Sequence, residues 1–86
     1  MDLDDLLLHF FGTADLEALD EPALELGLER LGTAFWTERE AGRRFALWTL
    51  LFALGDAPDP EQAFKDRRER DAAFAYMRAA GRAEQP

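Results

Sequence analysis

The sequence predicts an all-α fold, a compact bundle of four or five helices around a central apolar helix at about 38–54. Three observations point there. Valine and isoleucine are absent, and threonine, at 13, 33, 37 and 49, is the only β-branched residue. Strands draw on Val, Ile, Thr and aromatics, so a sheet has almost no material. Leucine and alanine together supply 29 of the 86 residues, and both favour helix. Finally, residues 45–54 (Phe-Ala-Leu-Trp-Thr-Leu-Leu-Phe-Ala-Leu) are apolar at nine of ten positions, follow Arg43-Arg44 and stop at Gly55. A helix with no polar face must be covered on several sides.

The first helix is expected over 3–11. Leu3, Leu6, Leu7, Phe10 and Phe11 recur at helical spacing. Gly12 supplies its C-terminal stop. Thr13 caps a short turn over Asp15–Leu19, with Leu16 and Leu19 inward. A second helix starts near Asp20-Glu21-Pro22, where an acidic cap precedes an early proline. Leu24, Leu28, Leu31 and Phe35 form its stripe. Gly27 and Gly32 each cost up to about 1 kcal/mol in a helix interior, so they either permit close packing or weaken the helix near Gly32-Thr33.

Thr37-x-x-Glu40 reads as a capping box and starts the third helix near 38. One continuous helix from 21 to 54 is the alternative, and two glycines and the box argue against it. On a wheel, Phe45, Leu47, Trp48, Leu50, Leu51, Phe52 and Leu54 fill an arc of roughly 220°. Gly42, Ala46, Thr49 and Ala53 form a strip of small residues opposite. Either that strip faces water and the arc is the core, or the strip packs and part of the arc needs a second surface, such as a dimer.

Asp56-Ala57-Pro58-Asp59-Pro60 is a hard break, with Asp59 as N-cap and Pro60 at N1 of a short helix holding Ala63 and Phe64. Seven polar residues, 65–71, cannot all be buried on one helix, so the chain breaks at Asp66. The last helix covers about 67–80, with Ala73, Phe74, Met77 and Ala80 inward. Gly81 ends it, and 82–86 fray. The whole chain, 1–86, is one domain.

Composition removes much chemistry. There is no Cys and no Ser, so the common nucleophiles are missing. His9 is the lone histidine, with Asp5 one turn before it. A zinc site needs more imidazole or thiolate than that, and no Glu-x-x-His pair suggests a di-iron bundle. No glycine-rich phosphate loop or calcium loop occurs. Neither a metal nor a cofactor is therefore expected, and no catalytic residue is nominated. The Met-Asp-Leu-Asp-Asp start has no signal-peptide character, and the longest apolar run is half a membrane span. The expected setting is the cytoplasm, away from membranes.

Net charge is −8 and unevenly placed. Residues 1–30 hold nine acids and one base; residues 31–86 hold nine of each. Many acids sit at helix starts, where the macrodipole favours them. The acidic half repels nucleic acid. Lys65, Arg67, Arg68, Arg70, Arg78 and Arg82 gather in the C-terminal helices, but Asp66/Arg70, Arg67/Asp71 and Glu40/Arg44 read as i,i+4 pairs. Opposite charge at the two ends suits head-to-tail or antiparallel self-pairing.

Several short segments carry a resemblance: Phe11-Gly12-Thr13-x-Asp15-Leu16, Arg44-Phe45-Ala46-Leu47-Trp48-x-Leu50, Gly55-x-Ala57-Pro58 and Ala63-Phe64-Lys65-Asp66, followed by Arg70-Asp71-Ala72-Ala73. Over most of the chain they resemble a group of small bacterial helical proteins of unknown function. The resemblance implies no site and no mechanism.

The expected role is a non-catalytic protein-interaction or regulatory module whose partner is another protein or a second copy. A small helical DNA-binding regulator is the alternative, and a carboxylate-dependent enzyme the third reading. Trp36, Trp48, Leu51 and Phe52 are the interface candidates, because aromatics dominate hot spots. Ordinary core is the competing role for all four.

Overall fold

The structure, a computed structural model, describes the backbone of residues 3–84 and side-chain environments over 3–82. Five helices form: α1 Leu3–Phe11, α2 Glu21–Thr37, α3 Ala41–Ala53, α4 Pro60–Ala63 and α5 Arg67–Glu84, with a 3-10 turn at Leu16–Ala18. No strand occurs among the described residues. The body measures 37 × 36 × 21 Å.

Local chemistry starts and stops most elements where the sequence places them. Asp20, Asp59 and Asp66 accept amide hydrogen bonds from Ala23, Glu61 and Arg68 at the heads of α2, α4 and α5. Thr13 Oγ1 accepts from the Asp15 amide, and Asp15 caps the 3-10 turn. Gly55, at φ +81°, closes α3. The Asp56 amide reaches Leu51 O and the Gly55 amide reaches Phe52 O, the paired reversal that glycine permits at a helix end.

Three expectations are corrected. The third helix begins at Ala41, not near 38. Thr37 is the last residue of α2, and its hydroxyl donates to Thr33 O and Ala34 O instead of capping α3. Glu40 is the cap, accepting from the Gly42 and Arg43 amides. A continuous helix from 21 to 54 is thereby also excluded, because Glu38–Glu40 break it. The last helix does not stop at Gly81 but runs to Glu84. A lone exposed glycine costs a helix only about 1 kcal/mol, too little to end it. The fraying expected over 82–86 is corrected at 82–84, which continue α5, while 85–86 lie outside the described residues.

Glycine has opposite meanings within α2. A Cβ at Gly27 would collide with the Phe11 ring, so α1 and α2 approach closely there. A Cβ at Gly32 would meet nothing. The helix passes through Gly32 without interruption.

The core lies between α1, α2, α3 and the α4–α5 corner. Leu31, Phe35, Trp48, Leu51 and Phe64 are its largest fully buried side chains. The wide arc of α3 faces inward, with Leu47, Trp48, Leu50 and Leu51 buried. Its small strip lies toward water, since Gly42 and Ala53 are exposed and Ala46 and Thr49 half-buried. Thr49 meets its own need by donating to Ala46 O. One chain therefore covers the bulky arc, and the geometry needs no second copy to do so. Arg44 ties three elements together. Its guanidinium lies 4.8 Å from the Phe35 ring centre and 5.4 Å from that of Phe64, and it donates to Ala63 O at the end of α4. That use replaces the expected Glu40/Arg44 pairing.

Candidate functional site

The four interface candidates separate into two places. Trp48 and Leu51 are fully interior. Trp48 Nε1 donates to Pro58 O at 2.9 Å, which pins the 55–60 turn onto α3. Phe52 is half-buried and stacks on Trp48 with centroids 5.5 Å apart. Tyr76 of α5 packs its edge against Phe45, Trp48 and Phe52. These rings are a structural hub, and a shallow apolar groove of about 250 Å³ beside them is lined by Phe52, Pro58, Phe74 and Met77.

Trp36 stands apart. It is 55 % exposed on the outer face of α2, and its ring contact is an edge approach to Phe35 at 5.0 Å. Leu24, Leu28, Leu31 and Phe35 face inward at helical spacing, which turns positions 25, 29, 32, 33 and 36 outward. Glu25, Glu29 and Thr33 are exposed, as is Leu26 at the edge of this face. Gly32 sits one turn before Trp36 with open space above its Cα. Sequence reasoning misses Leu26, although its position off the Leu24–Leu28–Leu31 stripe is a legible signal.

A second cavity, about 480 Å³, opens between α1, α2 and α3. Leu6, Phe10, Ala34 and Leu47 line it, with Asp5, His9, Glu38 and Arg43 around its mouth. Glu38 is already engaged there. Its carboxylate accepts the Arg39 and Glu40 amides and lies 3.5 Å from the Arg43 guanidinium. His9 is exposed and meets Phe10 edge-on at 4.7 Å.

The other carboxylates with traced bonds serve helix ends. Glu40 is held below the usual carboxylate range by the Arg43 and Gly42 amides, with a smaller contribution from the Arg43 charge. A capping acid needs no catalytic explanation. Among the described residues, no three His, Cys, Asp or Glu side chains converge to hold a metal. Among the described residues no helix is long and apolar enough to cross a membrane. Four basic residues of α5, Arg67, Arg68, Arg78 and Arg82, are exposed, and Arg70 is half-buried. Arg67 lies 3.9 Å from Asp71, the i,i+4 contact read from the sequence. Asp66 is occupied as the α5 cap rather than by Arg70.

No protein-family model, curated protein or solved structure matches the chain.

Proposed function

We propose that this chain is a non-catalytic interaction or regulatory module that binds a protein partner through the outer face of α2, with Trp36 as the anchor. The observation that carries this reading is the exposure of Trp36 beside Gly32. A small domain has few large side chains to bury. Leaving its second tryptophan in water forgoes burial that would stabilise it. Gly32 adds a helix-interior cost of about 1 kcal/mol without relieving any contact within the chain. A bound partner offsets both, because tryptophan in a desolvated notch is the typical hot-spot residue.

The test is affinity capture from nuclease-treated native lysate, with wild type and Trp36→Ala side by side. A protein retained by wild type and lost with Trp36→Ala supports the reading. Identical retention by both variants refutes it. Salt-sensitive retention of DNA instead of protein would move the assignment to a nucleic-acid regulator.

A further inference from the structure

The outer faces of α2 and α5 are oppositely charged and similar in length. α2 exposes Glu21, Glu25 and Glu29 at successive turns. α5 exposes Arg67, Arg68, Arg78 and Arg82, with Asp71 as the acid among them. Between these arginines lie Ala72, Ala75 and Ala79, all exposed. Seventeen residues in α2 and 18 in α5 give two rods of roughly 25 Å. Both helices pack their inner faces on α3, so the two outer faces point away from it and cannot meet within one chain.

We infer that the outer face of α2 docks antiparallel on the outer face of α5 of a second copy of this chain. The inference rests on the reading of α2 as a binding face and names the partner. Charge selects the pairing. Two α2 faces would oppose glutamates, two α5 faces would oppose arginines, and only α2 against α5 sets unlike charges together. Spacing selects the direction. Glu25 and Glu29 are separated by one turn, as are Arg78 and Arg82. Placing Glu25 opposite Arg82 and Glu29 opposite Arg78 brings Gly32 opposite Ala75 and Trp36 opposite Asp71, next to Ala72. The small residues Gly32 and Ala75 then meet near the middle of the contact, where helices can approach closely. In the parallel alignment of the same charges, Trp36 would fall past the end of α5. The contact is small for a stable complex, so association is expected at micromolar concentrations or weaker, and sensitive to salt.

The experiment is sedimentation velocity over a concentration series at about 0.02 M and about 0.3 M salt. Wild type should associate at low salt and dissociate at high salt. Glu25→Lys with Glu29→Lys should be monomeric, because both of its outer faces are then basic. Arg78→Glu with Arg82→Glu should be monomeric, because both are then acidic. An equimolar mixture of the two should associate again, since each supplies the face that the other lacks. Circular dichroism and melting of each variant verify that the helices persist. A wild type that stays monomeric at low salt, a charge variant that associates like wild type, or a mixture that stays monomeric overturns the inference. If self-association fails while Trp36→Ala still loses a captured protein, the binding role of α2 stands and the second copy is the wrong partner. If both fail, α2 is not a binding face.

Discussion

Trp48 and Trp36 divide the molecule into a region that has used its apolar surface and one that has not. Trp48 is 0 % exposed, hydrogen-bonded at Nε1 and surrounded by Phe45, Phe52, Phe64 and Tyr76. Trp36 is 55 % exposed, twelve residues away in sequence, with Phe35 as its ring neighbour. The apolar run of α3 advertises surplus, yet the chain wraps it. α2 looks like an ordinary amphipathic helix, yet it carries the surplus. A long apolar run is thus a poor guide to an interface.

The sharpest way to break this contrast is to truncate both rings. Trp48→Ala removes a fully buried indole and leaves Pro58 O without its donor. The expected loss is about 3–5 kcal/mol, a large part of the 5–15 kcal/mol typical of a whole domain. Trp36→Ala should change stability by no more than about 0.5 kcal/mol. Urea unfolding followed by far-UV circular dichroism measures both. Equal losses would mean that Trp36 is part of the fold, and the division would collapse.

Gly27 and Gly32 repeat the contrast on a single helix. Gly27→Ala drives a methyl into the Phe11 ring, and Phe11 is itself buried. Overpacking costs about 1–3 kcal/mol, and the gain in helix propensity, about 1 kcal/mol, offsets only part of it. Net destabilisation is expected. Gly32→Ala places its methyl in open space and should stabilise the free chain by about 0.4–1 kcal/mol. The same methyl intrudes on the notch beside Trp36, so partner binding should weaken as stability rises. Opposite signs in chemical denaturation would sharpen the comparison; matching signs would remove the reason for treating the two faces differently.

The legibility of the sequence follows the same division between local and tertiary causes. Asp20, Asp59, Asp66 and Gly55 act within a few residues of themselves, and their roles could be read directly. The α2–α3 junction could not, because two acceptors compete there. Thr37 belongs to a plausible capping box, but its hydroxyl is satisfied by the carbonyls behind it, and Glu40 takes the amides ahead. Arg44 also has a local suitor in Glu40 and a tertiary one in the Phe35/Phe64 pair, and the tertiary one holds it. Which side of α3 faces water depends on how α2, α4 and α5 wrap it. No spacing rule contains that information. Trp36 was legible as a candidate by residue type, whereas its separation from Trp48, Leu51 and Phe52 needed the fold.

The smallest expected effect lies at the link between the two regions. Glu40 caps α3 just after the end of the helix that carries Trp36. Its carboxyl is lowered by the Arg43 and Gly42 amides, so the folded state holds the ionised form more strongly than the unfolded chain does. That contribution is fully present above the ordinary carboxyl value of the unfolded chain. It is lost as pH falls through the lower folded value, because stability rises with pH wherever the unfolded chain binds more protons. Wild type should therefore lose melting temperature on acidification from about pH 5 to about pH 3. Glu40→Gln should lose less over that window, because its cap does not titrate. The other carboxylates titrate in both proteins, so the difference between the two slopes isolates Glu40. Its effect should fall on α3 and the ring hub of Trp48, leaving the exposure of Trp36 unchanged when measured by acrylamide quenching. A change in quenching alongside the melting shift would show that the α2 face and the α3 hub act as one unit.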